Sequence, residues 1–137
     1  MEKIMSNNLD QKLPWALLLL RLGIFIVMFV WALDKLLNPG HTAAVFEGFY
    51  GISGLSGTIA TILGVLQILL CLAFLAGFWK TVTYGIIMVM HGVSTLSSFP
   101  QYIDAFNNLL FFAAWPMLAA CVALFMLREH DTKLSAS

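Results

Sequence analysis

The sequence predicts an all-α, polytopic membrane protein in which a single domain forms an antiparallel bundle of four transmembrane helices. Hydrophobic residues make up 61% of the 137 residues, and charged residues make up only 10%. A soluble domain averages about 45–50% apolar and about 25% charged residues, so water could not solvate the surface of this chain. The apolar residues also fall into four stretches, each near the ~20 residues that a helix needs to cross a bilayer.

The four predicted helices are separated by connections that contain helix-breaking residues. Pro39 and Gly40 are expected to end the first helix, because Pro cannot continue a helix and Gly suits its C-terminal cap. The glycine-rich run GFYGISGLSG is expected to be a loop, and Lys80 marks a tight turn between the second and third helices. The run SFPQYID precedes the fourth helix, which Pro116 is expected to bend. The predicted helices cover about residues 14–37, 57–78, 81–99 and 107–127.

The distribution of Lys and Arg predicts the orientation of the bundle. These residues occur in the polar tails 1–12 and 128–137, at Arg21 near the start of the first helix and in the turn at Lys80. The other two connections have none, and only Lys35 lies near that side. Because loops rich in Lys and Arg stay in the cytoplasm, both termini are expected there. The C-terminal tail is also expected to be frayed, since it is polar and terminal.

Most polar side chains of the predicted helices fall in their outer half. Gln67 and His91 each lie about ten residues from the start of their helix, which places both near mid-bilayer. Ser94 and Thr95 follow His91 at helical spacing and share its face, and Tyr84 extends that face inward. This pattern predicts a polar cavity or docking surface open to the outside. Its candidate binding residues are Trp31, Asp34, Lys35, Gln67, Tyr84, His91, Ser94, Thr95 and Asn107.

Several of these candidates also have a purely structural interpretation. Asp34 and Lys35 could extend to the interface and bind water or lipid headgroups. His91 could be a core residue bonded to a serine or a carbonyl, and Gln67 is explained more simply by a hydrogen bond between helices. Asn107 could cap the fourth helix.

Arg21 and the two cysteines are expected to have structural roles. Arg21 is interpreted as an anchor of the inner interface. Cys71 and Cys121 lie at matching depths, but a disulfide needs Cα atoms within about 7 Å, which diagonal helices would not allow. We therefore expect buried free thiols, and no spacing of Cys or His predicts a metal site. Gly57, Gly64 and Cys71 follow each other at intervals of seven, which predicts a close-packing seam between helices.

Three stretches resemble the DoxX-like family of small four-helix membrane proteins, over about residues 17–127. WALDKLLNP resembles the end of the first helix of that family, with Lys35 on the family's lysine. LGVLQILLCLAFLAGFWKT resembles its second helix, and LRLGIFIVMFVWALDK carries its arginine and glycine at Arg21 and Gly23. Many members have a glutamate where this chain has Gln67, which can only hydrogen-bond. A proton role implied by the resemblance is therefore weakened.

The resemblance implies a bacterial cytoplasmic membrane protein, because members are linked to quinone-dependent sulfur oxidation or to maturation of a periplasmic enzyme. One interpretation is an accessory subunit of a quinone-linked redox system, with His91 as donor to a bound quinone. The chain has no CxxC, haem-attachment or flavin motif. It is therefore expected not to be catalytic alone and to be at most a subunit of an oxidoreductase.

The alternative interpretation is a non-enzymatic assembly or maturation factor that binds a periplasmic or membrane partner through its outer loop. Aromatic side chains in that loop would anchor the partner. Transport is disfavoured, because four helices leave little room for a pore unless the chain forms a homo-oligomer. The zero net charge does not suit nucleic-acid binding. The loop candidates are Phe46, Glu47, Phe49 and Tyr50.

Overall fold

The computed structural model describes residues 2–136, with side chains from Asn8 onward. The described chain is helical, and no β-strand occurs in it. Three short 3-10 helices lie near the C-terminal half, at Ala105–Asn107, Leu109–Ala113 and Arg128–His130. The α-helices are α1 (Glu2–Leu37), α2 (Pro39–Tyr50), α3 (Gly57–Leu75), α4 (Lys80–Ser97), α5 (Phe99–Ile103) and α6 (Ala114–Met126).

Three helical segments of the described chain are long and apolar enough to cross a membrane. They are Asn8–Leu37, Gly57–Leu75 and Leu109–Met126. These segments confirm the prediction of an all-α protein and indicate a membrane protein. The third predicted helix, 81–99, is observed as α4 and is not among them, because Lys80, His91 and several Ser and Thr residues lower its hydropathy.

The long helices form a closed bundle in which the last helix, α6, packs against the first, α1. Helix α1 packs along α3 and also contacts α6, and α4 packs along α6 and contacts α3. Helix α2 lies across one end of this assembly, which we call the α2 end, and contacts α1, α3 and α4. The opposite end, with the C-terminal residues 128–136, is called the tail end. The core consists of Leu17, Ile24, Met28, Cys71, Phe74, Tyr84, Ile87, Cys121 and Leu124.

The segment after α1 is a helix, whereas the sequence predicted a long glycine-rich loop. Pro39 does separate it from α1, but it does so as the first residue of α2. Its fixed φ and missing N–H suit the first turn of a helix, where the N–H has no partner within the helix. Helix α2 ends at Tyr50, and the next residue, Gly51, caps it with a φ of 69° and a hydrogen bond from its N–H to the Phe46 carbonyl. The loop is therefore confined to residues 51–56.

The first and fourth predicted helices also begin differently. Helix α1 starts at Glu2 and passes through Pro14, so residues 2–12 continue the helix. Glu, Lys and Gln in this polar stretch are good helix formers. Before α6 the chain forms a 3-10 turn at Leu109–Ala113. The ring of Pro116 would clash with the Phe112 carbonyl in an α-helix, so the predicted bend lies ahead of that proline.

Gly64 allows α1 and α3 to approach closely, as the predicted seam required. A Cβ atom there would lie 2.9 Å from Leu36 Cδ2 and 3.0 Å from Lys35 Cβ. Because Lys35 Cβ is fixed to the backbone of α1, Gly64→Ala should push the two helices apart. We expect a loss of about 1–3 kcal/mol in the free energy of unfolding, measured in detergent micelles.

The matched control is Gly23→Ala on α1. A Cβ at Gly23 meets no atom within 4 Å. This substitution should therefore be neutral or stabilise the helix by up to about 1 kcal/mol. Equal changes for the two variants would contradict a close-packed seam at Gly64.

Candidate functional site

The most completely buried charged residues lie at the tail end of the molecule. Arg21 of α1 and Asp131, which follows the last 3-10 helix, are both 0% exposed, and Tyr84 of α4 is 1% exposed. Arg21 Nη1 lies 3.3 Å from Asp131 Oδ2. The Tyr84 hydroxyl donates a hydrogen bond of 2.6 Å to the same carboxylate oxygen. We call these three residues the buried triad.

The C-terminal segment folds over the triad and closes the tail end. Arg21 Nη2 donates hydrogen bonds to the carbonyl oxygens of Lys133 and, at 3.1 Å, of Leu134. The Ala136 N–H donates to the Ala76 carbonyl at 2.7 Å. The expectation of a frayed tail was therefore wrong. The guanidinium of Arg21 is buried and binds the Asp131 carboxylate and two main-chain carbonyls of the tail, so the expectation that Arg21 anchors the membrane interface was also wrong.

The turn between α3 and α4 is shaped to receive this segment. Gly77 has a φ of 68°, a conformation that glycine adopts without strain. A Cβ atom at Gly77 would lie 2.9 Å from Arg21 Nη1 and would collide with the Ser135 side chain. The following α4 is fixed by Thr83, whose hydroxyl donates to the Phe78 carbonyl at 2.9 Å. Glycine is thus required both for the turn and for the space that Arg21 occupies.

The triad works as a clamp between three parts of the chain. A buried ion pair is costly to desolvate unless hydrogen bonds satisfy its remaining polar atoms. Here Asp131 Oδ2 accepts a hydrogen bond from Tyr84 and forms the ion pair with Arg21. Asp131 Oδ1 and Arg21 Nε make no hydrogen bond to a described residue. The arrangement links α1, α4 and the C-terminal segment.

A second polar group lies at the α2 end, where α1 passes into α2. His41 Nδ1 is 2.5 Å from Asp34 Oδ2, and Asn38 Nδ2 donates to Asp34 Oδ1 at 3.2 Å. The indole of Trp31 stacks on the His41 ring with centroids 6.1 Å apart. His41 is 50% exposed and Asp34 is 23% exposed. Lys35 lies one residue further on, half-buried beside Gly64.

The mid-membrane candidates are bonded to the main chain of neighbouring helices. The buried Gln67 donates from Nε2 to the Met28 carbonyl at 2.9 Å, which links α3 to α1. His91 Nε2 lies 3.0 Å from the Ala114 carbonyl oxygen and must carry the proton, because a carbonyl only accepts. The Thr95 hydroxyl in turn donates to the His91 carbonyl at 2.7 Å. These contacts match the structural interpretations of Gln67 and His91.

The remaining sequence candidates lie in separate places. The Ser94 carbonyl accepts hydrogen bonds from the Ser97 and Ser98 hydroxyls. Asn107 Nδ2 donates to both carboxylate oxygens of Asp104, at 3.0 and 3.1 Å, within the connection before α6. Tyr84 belongs to the buried triad at the opposite end from these residues. The described contacts therefore place Trp31 and Asp34 around His41 and join Thr95 to His91, but they do not gather the nine candidates into one site.

The partner-binding candidates lie on α2 instead of on a loop. Phe46 and Tyr50 pack edge to face with centroids 5.2 Å apart. Phe49 stacks on Phe111 at 6.3 Å, which ties α2 to the segment before α6. These aromatic side chains are half-buried or exposed at this contact, and Glu47 is exposed.

Sequence reasoning missed Asp131 and assigned Arg21 to the membrane interface. One signal was present: an arginine within an apolar stretch needs a counter-ion, and few carboxylates occur in the chain. The signal did not identify which carboxylate returns to α1. Cys71 and Cys121 are free thiols buried in the core. No group of three metal-ligating side chains occurs in the part of the chain that the structure describes.

Comparison of the chain with known protein families, with curated proteins and with solved structures finds no match.

Proposed function

We propose that the protein is a non-catalytic assembly or accessory factor of the DoxX-like kind, which crosses the membrane four times and binds a protein partner at its α2 end. The observation that carries this proposal is an exposed apolar surface outside the long helices at that end.

The exposed face of α4 supports its assignment as the fourth membrane span. Beyond Thr81 in its first turn, its exposed side chains are apolar, whereas His91 and Thr95 face the other helices. Its 18 residues extend about 27 Å, close to the ~30 Å hydrocarbon core. Four spans put both termini on one side, and the Lys and Arg residues of the tail end favour the bacterial cytoplasm. The outward residues are Val82, Ile86, Val89, Val93 and Leu96.

The partner surface is centred on the connection between α4 and α6. Ile103 is 73% exposed and Phe106 is 90% exposed. The contact between Phe49 and Phe111 joins this connection to α2. Large exposed apolar side chains of this kind mark surfaces for protein or membrane contact.

Polar groups around this surface favour a protein over lipid as the partner. Glu47 and Asp104 are exposed beside it, and hydrocarbon would not solvate their carboxylates. An apolar centre with a polar rim is the usual anatomy of a protein interface. We therefore assign the surface to a periplasmic or membrane protein.

A quinone-linked redox role is the second candidate, and the pair of Asp34 and His41 favours it. The pair is half-exposed at the α2 end and could accept a proton released when a quinol is oxidised by a partner enzyme. His91, the quinone donor that the sequence suggests, is hydrogen-bonded to the Ala114 carbonyl. This weighs against a quinone bound at mid-membrane.

Native mass spectrometry of protein extracted gently from its own membranes tests the proposal. Wild-type protein should retain a polypeptide partner at fixed stoichiometry, and Phe106→Ser should lose it, because it removes the most exposed anchor of the surface. The control is Leu134→Ser, an apolar residue that is 81% exposed at the opposite end. This variant should keep the partner.

The same experiment separates the two candidates. A retained quinone without a polypeptide would support the redox role and overturn the assembly role. Retention of the partner by Phe106→Ser would show that binding does not use this surface, and loss from both serine variants would show that the effect of Phe106→Ser is not specific to the α2 end. Recovery of neither quinone nor polypeptide from wild-type membranes would count against both.

A further inference from the structure

A groove with a polar and an apolar part runs over the tail end and down α4. The polar part has a volume of about 520 Å³ and lies between the α3–α4 turn and the end of α6, lined by Trp79, Lys80, Arg128 and Glu129. The apolar part has a volume of about 510 Å³. Thr81 and Val82 line both parts, so the two parts adjoin each other, and we treat them as one groove.

Arg128 is held in a fixed position at the polar part. Its Nε donates to Thr81 Oγ1 at 3.0 Å, and its Nη1 donates to the Phe125 carbonyl at 2.8 Å. The guanidinium carbon also lies 4.3 Å from the centroid of the Phe125 ring. Its remaining amino group, Nη2, makes no hydrogen bond to a described residue. An arginine held in this way can bind a phosphate oxygen with little further loss of side-chain freedom.

The surroundings of Arg128 fit an anionic headgroup at the membrane surface. Lys80 lies in the same part of the groove, and Glu129 is the single acidic side chain among the described residues that line it, so these residues together carry a net positive charge. Phe78 and Trp79 stack on each other at 5.7 Å and are both exposed. Exposed aromatic rings of this kind lie at the level of lipid headgroups.

The apolar part of the groove fits a hydrocarbon chain. Gly85 forms its floor, where a Cβ atom would lie 3.4 Å from the Phe125 ring. Ile86 and Val89 form its side along α4. The groove descends from the headgroup level towards the middle of the bilayer, which is the path that an acyl chain follows.

We propose that this groove binds one anionic phospholipid, with its phosphate at Arg128 and Lys80 and one acyl chain along α4. Basic pockets beside transmembrane helices bind anionic lipid headgroups by the same chemistry. Neither part of the groove identifies the ligand by itself. The two cations of the polar part require an anionic group, and the apolar part requires a hydrocarbon chain attached to that group. The proposal rests on the placement of α4 in the membrane and is independent of the partner at the α2 end.

The test is a lipid titration of the detergent-solubilised full chain, followed by native mass spectrometry. Phosphatidylglycerol should bind with a stoichiometry of one and more tightly than phosphatidylcholine with the same acyl chains. Arg128→Gln and Lys80→Gln should each weaken phosphatidylglycerol binding about fivefold, the effect of one cation near an anionic lipid. Lys12→Gln, on the N-terminal part of α1, is the charge control and should leave binding unchanged.

The acyl part is tested by a matched pair of substitutions on α4. Val89→Trp fills the apolar groove and should weaken phosphatidylglycerol binding. Val93→Trp, on the same exposed face but outside the groove, should not. Both residues point away from the core, with exposed fractions of 59% and 52%, so both variants should fold.

Three results would overturn the proposal. The first is equal binding of phosphatidylglycerol and phosphatidylcholine by the wild type. The second is unchanged binding in both Arg128→Gln and Lys80→Gln. The third is binding of glycerol 3-phosphate as tightly as phosphatidylglycerol, together with unchanged lipid binding by Val89→Trp, which would identify a phosphate site without an acyl groove.

Discussion

Replacing Asp131 with alanine is expected to lower the free energy of unfolding by about 3–5 kcal/mol, because the Arg21 guanidinium then stays buried without its counter-ion. Both side chains are 0% exposed, so water does not screen the lost interaction. The substitution also removes the acceptor of the 2.6 Å hydrogen bond from Tyr84. The measurement is unfolding by sodium dodecyl sulfate in mixed micelles, followed by tryptophan fluorescence.

Glu129→Ala is the control for Asp131→Ala. Glu129 lies two residues away in the same segment but is exposed. Its removal should change stability by no more than about 0.5 kcal/mol. The double variant Arg21→Met with Asp131→Leu should be less destabilised than Asp131→Ala, since no unpaired buried charge remains. Similar losses for Asp131→Ala and Glu129→Ala would show that the buried triad does not hold the tail end together.

Replacing Gly77 with alanine is expected to be the second most damaging of these changes, with a loss of about 2–4 kcal/mol. The φ of 68° at this position alone costs an L-residue about 1–2 kcal/mol. The added Cβ atom would also lie 2.9 Å from Arg21 Nη1 and displace the guanidinium from Asp131. The same unfolding assay measures the effect.

Gly54→Ala separates the two causes. Gly54 has a φ of 74°, but a Cβ atom there meets nothing within 4 Å. It should therefore show only the conformational cost of about 1–2 kcal/mol. If both glycine variants lose the same stability, the close approach of Arg21 to the α3–α4 turn contributes nothing. A larger loss for Gly77→Ala that disappears in the Arg21→Met background would assign the difference to the guanidinium.

Local features of the sequence predicted the bounds of two long helices closely. The predicted second helix, 57–78, is observed as Gly57–Leu75, and the first ends at Leu37 as expected. These predictions succeed because a long apolar run next to Gly, Pro or Ser defines a helix without any distant contact. The sequence did not predict α2, because a proline at position 39 is consistent both with the end of one helix and with the first residue of the next.

The candidate site was predicted less well, since its members are distant in the sequence. Helical spacing placed His91, Ser94 and Thr95 on one face, but spacing does not reveal what that face contacts. The Ala114 carbonyl, which accepts the bond from His91, is a main-chain atom and carries no sequence signal. The same holds for the Met28 carbonyl that accepts from Gln67.

The sequence by itself determined that this is an all-α chain whose long apolar helices suit a bilayer, because composition and run length act locally. Only the tertiary structure decided which polar groups meet. It buried Arg21 against Asp131 and Tyr84, ordered the C-terminal segment, and set Arg128 beside Thr81 at the head of an apolar groove. A buried charge needs a partner of opposite charge, and which residue becomes that partner depends on how the helices pack.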